Sequence, residues 1–155
     1  MLKPKQLREA LSRSVPLLQR NPDSLNMFVD NGRIVSTLAA SISFEYQYQL
    51  NLVITDYGGD IDLVMVPVLA WLRENQPDIM ATEEKRRNGF TFKADVLSDT
   101  LCDLSIDLQL TERVIVREES GALHVTHVGE PPLPENISRP RQQYAGSELV
   151  SEWQL

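Results

Sequence analysis

The sequence has almost no cysteine, no long apolar run and no excess of base, and each lack removes a class of protein. Cys102 is the single cysteine, so no intrachain disulfide framework can hold the fold. No stretch approaches the roughly 20 consecutive apolar residues that a membrane span requires. The basic start Met1-Leu2-Lys3-Pro4-Lys5 is not followed by the apolar segment of a secretory leader, and a soluble, cytoplasmic protein is expected. Lysine and arginine number 15 against 22 aspartates and glutamates, a net charge of −7. Affinity for phosphate backbones comes mainly from clustered basic side chains, so general nucleic-acid binding is not expected. What is present suffices for one domain: 155 residues, 42% apolar and 24% charged, a length at which about two-thirds of the unfolded surface can be buried without a disulfide or metal.

Charge is unevenly spread. The first helix region carries Lys3, Lys5, Arg8, Arg13 and Arg20 against Glu9 alone, while the stretch from Ala94 to Leu110 carries Asp95, Asp99, Asp103 and Asp107 and no base. In a monomer this is a mixed solvated surface. In an oligomer it is a means by which neighbouring subunits recognise each other.

Leu7, Ala10, Leu11, Val15 and Leu18 recur at helical spacing, predicting an amphipathic opening helix. Pro16 should kink or end it, and Asn21-Pro22-Asp23 marks its stop. Leu25–Val29 and Ile34–Thr37 flank Asp30-Asn31-Gly32-Arg33. Asn-Gly supplies the positive φ values of a type I′ turn, so a tight hairpin is expected, with Asp30 and Arg33 facing each other across it. From Ile42 to Thr55 apolar and polar residues alternate cleanly, the pattern of a strand with one wet face. At about 3.3 Å per residue that strand spans roughly 46 Å, longer than the about 40 Å diameter of a compact domain this size. It must coil, bulge or protrude.

After Tyr57-Gly58-Gly59, Asp60 is placed to cap a helix reaching Asn75, with Gln76-Pro77-Asp78 as its stop. Leu63 to Leu72 is apolar on all sides of that helix, which therefore needs cover on more than one face, from another layer of this fold or from a neighbouring subunit. Pro67 should kink it. A short polar helix or loop over 78–88 leads to a strand with Phe90, Phe92 and Ala94 on one face. A second long strand runs from Asp103 to Arg117, with Leu104, Ile106, Leu108, Leu110, Glu112, Val114 and Val116 on one side and an acidic-then-basic stripe ending at Arg113 and Arg117 on the other. Glu118–Gly121 turns into a last strand, Ala122 to Val128, completing an antiparallel meander. The expected fold is α+β, an antiparallel sheet with long strands packed by two main helices, over residues 1–128. Residues 129–155 form a proline-rich arm that cannot build a core. The arm ends in Tyr144 to Trp153, suited to docking on a partner or equally to a flexible tail.

No catalytic constellation assembles. His124 and His127 lie three apart on a strand, hence on opposite faces. Asp103 and Asp107 share a face but at i,i+4 stand about 13 Å apart, too far for paired acid–base work. Asp60-Ile61-Asp62 suits a helix start better than a metal. Cys102 has no base beside it in sequence, and Gly58-Gly59 lacks the residues of a phosphate cradle. No enzyme, cofactor, metal or small-molecule ligand is expected.

Several stretches together resemble the phage tail completion protein R family of temperate, contractile-tailed coliphages. They are Leu2-Lys3-Pro4, Asn21-Pro22-Asp23, Phe28-Val29-Asp30-Asn31-Gly32, Ser43-Phe44-Glu45-Tyr46, the run from Leu50 to Asp60, Val66-Pro67-Val68-Leu69-Ala70-Trp71-Leu72 and Leu110-Thr111-Glu112-Arg113-Val114. The resemblance implies a virion assembly protein that completes the tail, capping the tail tube or sheath at its head-proximal end before head–tail joining. Its implied partners are other copies of itself, the tube or sheath protein, and the head–neck connector proteins. A hexameric ring follows only by fold-level analogy with tail terminators of other phages. The alternative is a tail chaperone or scaffolding module not retained in the virion. Interface residues are expected in the basic helix at Lys5, Arg8 and Arg13 and on the opposing stripe at Asp103, Asp107, Arg113 and Arg117. Asp30, Asn31, Gly32, Tyr144 and Trp153 are expected to reach the tube or neck.

Overall fold

The computed structural model describes residues 1–132, 134 and 141–153. In chain order the elements are α1 (Lys3–Ser14), α2 (Pro16–Arg20), β1 (Leu25–Val35), β2 (Phe44–Tyr57), α3 (Asp62–Asn75), α4 (Glu83–Asn88), β3 (Phe90–Val96), β4 (Cys102–Glu119), β5 (Ala122–Val128), β6 (Gln142–Ala145) and β7 (Glu148–Glu152). This is an α+β fold. An antiparallel sheet runs β1-β2-β4-β3, with β5 also on β4, and β6–β7 forms a separate hairpin. β3 pairs with Cys102–Leu108 of β4 and β5 with Arg113–Glu119, so the two follow one another along the side of β4 away from β2.

Alternation decides which face is buried. Tyr48, Leu50, Leu52 and Ile54 of β2 and Leu104, Ile106, Leu108 and Leu110 of β4 point to one face and are all buried. Leu7 and Leu11 of α1, Leu18 of α2, and Val64, Val68 and Leu72 of α3 close over them. Pro16 ends α1 rather than kinking it, because the missing N–H breaks the helical ladder there. The start of α3 falls two residues later than Asp60, whose Oδ1 accepts from Asp62 N at 3.0 Å. The apolar helix is covered by the sheet on one side only in part: Val66 and Leu69 remain 47% and 44% exposed.

The long strands relieve their length by bulging and by protruding, two of the three expected ways. β2 bulges between Ile54 and Tyr57, with Asp56 at φ 52°, and the sheet outruns its helices. Past Glu112, β5 is exposed at every position but His127. Ser120 and Gly121, at φ 52° and 77°, join β4 to β5 by the two-residue turn that left-handed residues favour.

One expectation fails. Asn31-Gly32 does not reverse the chain: Leu25–Val35 is a single strand that pairs with β2 before and after these two residues, and the register slips between Asp30 and Arg33. The left-handed φ of Asn31, 52°, is used for a bulge, and the reversal comes later, through the loop 36–43. Asp30 therefore faces Gln49 and Arg33 faces Gln47, not each other. The Arg33 Nε donates to Gln47 Oε1 at 2.7 Å.

The passage from α4 into β3 turns on Gly89. A Cβ there would lie 2.5 Å from the Ile79 carbonyl oxygen and 2.6 Å from that of Lys85. Both obstacles are backbone, so Gly89→Ala is expected to cost about 1–3 kcal/mol, read as a lower urea midpoint at unchanged slope. An unchanged midpoint would refute this close approach.

Candidate functional site

Glu112 occupies a position in the apolar register of β4, where the other same-face residues from Leu104 to Val116 are aliphatic, and it is buried. Its carboxylate meets the start of α1: Oε1 accepts from Leu2 N at 2.6 Å and Lys3 N at 3.3 Å, and Oε2 accepts from the Tyr48 hydroxyl at 2.6 Å. A helix start leaves its first N–H groups without partners and carries partial positive charge. Pro4 in the first turn removes one such donor.

Lys3 is buried beside this carboxylate. Its Nζ donates to Gln76 Oε1 at 2.7 Å and stands 3.6 Å from Glu130 Oε1. Burial pulls the Lys3 ammonium below its ordinary pKa, against the opposing pull of Glu130 and Glu112. Gln76 fills the stretch of the β4 edge between β3 and β5. Its Oε1 accepts from Thr111 N at 3.0 Å, and its Nε2 donates to Thr111 Oγ1 at 3.0 Å and Asp78 Oδ1 at 2.7 Å. Gly89 O takes the neighbouring Gln109 N–H at 2.9 Å. Burial raises the Asp78 carboxyl, but hydrogen bonds from Lys85 and Gln76 outweigh it and hold the pKa below the ordinary value. On the outer side, the Asn31 bulge, Arg33 and Gln47 face Asp78 and Lys85 across an open groove of about 840 Å³.

The residues singled out in the sequence divide between two ends of the sheet. Lys5 and Arg13 are exposed on α1, while Arg8 is half-buried and donates from Nη1 to Leu25 O at 3.0 Å, fixing α1 beside β1. Asp103 and Asp107 lie half-buried on the outer face of β4. Asp103 Oδ1 accepts from Asp56 N at 3.0 Å, and Asp107 Oδ1 from Asn51 Nδ2 at 2.8 Å. Asp95 stands directly opposite Asp103, a like-charge pairing that disfavours the isolated sheet. Arg113 and Arg117 are exposed farther along that outer face, opposite Val128 and His124. His124 and His127 take opposite faces and do not converge. Among the described residues no three of His, Cys, Asp and Glu are placed to hold a metal ion, and no helix is long and apolar enough to cross a membrane.

The C-terminal segment returns to the domain. Gln143 Nε2 donates to Asp62 O at 3.3 Å, and the Ser151 hydroxyl bonds to Ser14 O, so β6–β7 bridges the end of α1 and the start of α3. Tyr144 is 55% exposed and Trp153 half-buried. Of the proline-rich arm, residues 133, 135–140 and 154–155 lie outside the described residues. Sequence reasoning missed Gln76, read as a helix stop, and Glu112, whose carboxylate in an apolar alternation was the available signal.

Two measurements check this centre. Glu112→Ala strands the Tyr48 hydroxyl and two N–H groups beside a buried ammonium, and a loss of about 3–5 kcal/mol is expected by urea unfolding; a loss below about 1 kcal/mol would contradict it. Burial and the bond to Glu112 raise the Tyr48 phenol far above its usual pKa, and burial with Asp60 and Cys102 pushes Tyr57 up to about 12. A folded pKa above the unfolded value gives stability that is complete below pH of about 10 and lost above it, by roughly 1.4 kcal/mol per pH unit for each phenol. The stability advantage of the native chain over Tyr48→Phe should therefore shrink as pH rises beyond that point. A constant difference would contradict the burial of the phenol.

No solved structure matches the chain. It is 59% identical over 153 residues to Tail completion protein R of Escherichia phage P2, covering 99% of each chain. The family described as P2 phage tail completion protein R (GpR) matches residues 1–131, and by this match and the near-full-length identity the chain belongs to the P2 phage tail completion protein R family.

Proposed function

We propose that this protein completes the phage tail by stoichiometric binding, capping the tube or sheath at its head-proximal end and preparing it for head–tail joining. The observation that carries the reading is the near-full-length identity to a protein named for tail completion. Chemistry enters as recognition rather than turnover. The protein acts as a tail component of the virion, assembled in the host cytoplasm, with copies of itself, the tube or sheath protein and the head–neck connectors as partners. A hexameric ring is the oligomer suggested by analogy.

The charge distribution supports self-association. Lys5 and Arg13 stand exposed on α1, at the β1 side of the sheet, and Asp95, Asp99, Asp103 and Asp107 gather at the β3 side. Each copy thus offers complementary flanks, which steer association and penalise wrong pairings. The Asn31-Gly32 bulge, facing the outer groove, and the hairpin bearing Tyr144 and Trp153 are the surfaces assigned to the tube or neck.

Asp103→Lys with Asp107→Lys is expected to lower the assembled mass seen by light scattering towards that of one subunit and the infectious titre at least about tenfold. Adding Lys5→Glu with Arg13→Glu should restore both. Unchanged mass and titre would overturn the charge-matched interface. Absence of the protein from purified virions would favour a chaperone that departs before completion.

A further inference from the structure

The complementary flanks say that copies meet; this inference rests on that reading and names how. Both lateral edges of the main sheet are open among the described residues, since β1 pairs only with β2 and β3 only with β4. Open edges are ordinarily blunted by lysine, proline, charge or a bulge. Ahead of its bulge, however, β1 reads Leu25-Asn26-Met27-Phe28-Val29 without charge, and β3 opens with the uncharged Phe90-Thr91-Phe92 before Lys93 and Asp95. Phe28 is 53% exposed and Phe92 57%, one on each face of the sheet.

Three features select which edge meets which. The first is height. Phe28, Asn51, Asp107 and Thr91 form one continuous row across β1, β2, β4 and β3, as do Leu25, Ile54, Leu104 and Ala94. Closure by rotation involves no rise along the axis, so with strands along that axis the row leaving one copy at Thr91 re-enters the next at Phe28. β5 lies beyond this row, since β1 ends at Val35 on the row of Arg113. The second is direction. Three successive antiparallel pairings leave β1 and β3 running in opposite senses, so a rotated copy presents its β1 antiparallel to β3. The third is charge. β1 is flanked by the basic α1, while on the β3 side Asp95, Asp99, Asp103 and Asp107 outnumber the one base of that strand, Lys93, so a twofold β1–β1 or β3–β3 contact would set an excess of like charge against like.

We propose that β3 of one copy pairs antiparallel with β1 of the next, head to tail, so that the sheet continues across the subunit boundary with Phe28 opposite Thr91. Main-chain hydrogen bonds supply the adhesion and the flanking charges the choice of edge, which is how strand addition divides affinity from specificity. Such a contact is heterologous and closes into a ring.

The test is a cross-link. Phe28→Cys and Thr91→Cys are placed together in a Cys102→Ser chain and treated with a short bis-maleimide, both as purified protein and in lysates containing assembled tails. A ladder of multiples of the 17.6 kDa chain is expected from the double variant, and none from either single variant. Covalent dimers from Thr91→Cys alone would mean twofold pairing and overturn the proposal. A light-scattering mass of several subunits without the ladder would overturn strand pairing while leaving self-association standing. A single-subunit mass with no cross-link even on tails would overturn both. As a second check, Phe28→Lys with Thr91→Lys places like charges face to face at exposed positions, and the mass should fall to one subunit with an unchanged far-ultraviolet spectrum; an unchanged mass would count against the pairing.

Discussion

One buried carboxylate sets how the helices sit on the sheet. Glu112 holds the first turn of α1 at one height on β4, and Tyr48 fixes the other oxygen of the same carboxylate. Remove it and α1 retains the Arg8 bond to Leu25 O and apolar contact with the sheet, which is strong but tolerant of sliding. Its charge is offset by the helix start and by Lys3, and Lys3 in turn fixes Gln76, which closes the β4 edge between β3 and β5. Four segments distant in sequence, around residues 3, 48, 76 and 112, thus share one hydrogen-bonded centre. Two of them, Leu2-Lys3-Pro4 and Leu110–Val114, are stretches on which the family resemblance rests.

That anchor also explains where the helices stop covering the sheet. α1 begins at the height of Glu112, and α3 ends there, at Gln76. Below this level the helices pack on the sheet; above it Val114 and Val116 of β4 are still buried, while Leu123 and Val125 of β5 are each 61% exposed. Apolar side chains stand exposed on β5, β1, β3 and α3, among them Leu123, Phe28, Phe92 and Val66. This exposure fits a chain whose apolar surface is completed by assembly, consistent with a family defined by its place in a particle rather than by a reaction.

Much of the sheet was legible in the chain because alternation is a local signal. Tyr48 to Ile54 and Leu104 to Leu110 show their buried face at every second residue, and the structure buries that face. Asn31-Gly32 misled for the same reason. The pair reports only that a left-handed φ is available, and both a hairpin and a bulge use one. Which forms depends on β2, whose 14 residues can pair with all of Leu25–Val35 and reward an uninterrupted strand. Gln76 carried no signal, since a glutamine at a helix end looks polar and exposed until the edge it fills is seen.

The sequence by itself determined the α+β class, the long strands and their buried faces, the break at Pro16, the turn at Ser120-Gly121 and the separation of basic from acidic segments. All of these follow from residues within a few positions of one another. Only the tertiary structure decided that Asn31 makes a bulge, that Glu112 receives the start of α1, that β6–β7 returns to Ser14 and Asp62, and that Phe28 and Thr91 end one row across the sheet. Those outcomes depend on pairings between residues tens of positions apart, where the partner's geometry, not the local pattern, selects among conformations that the chain permits.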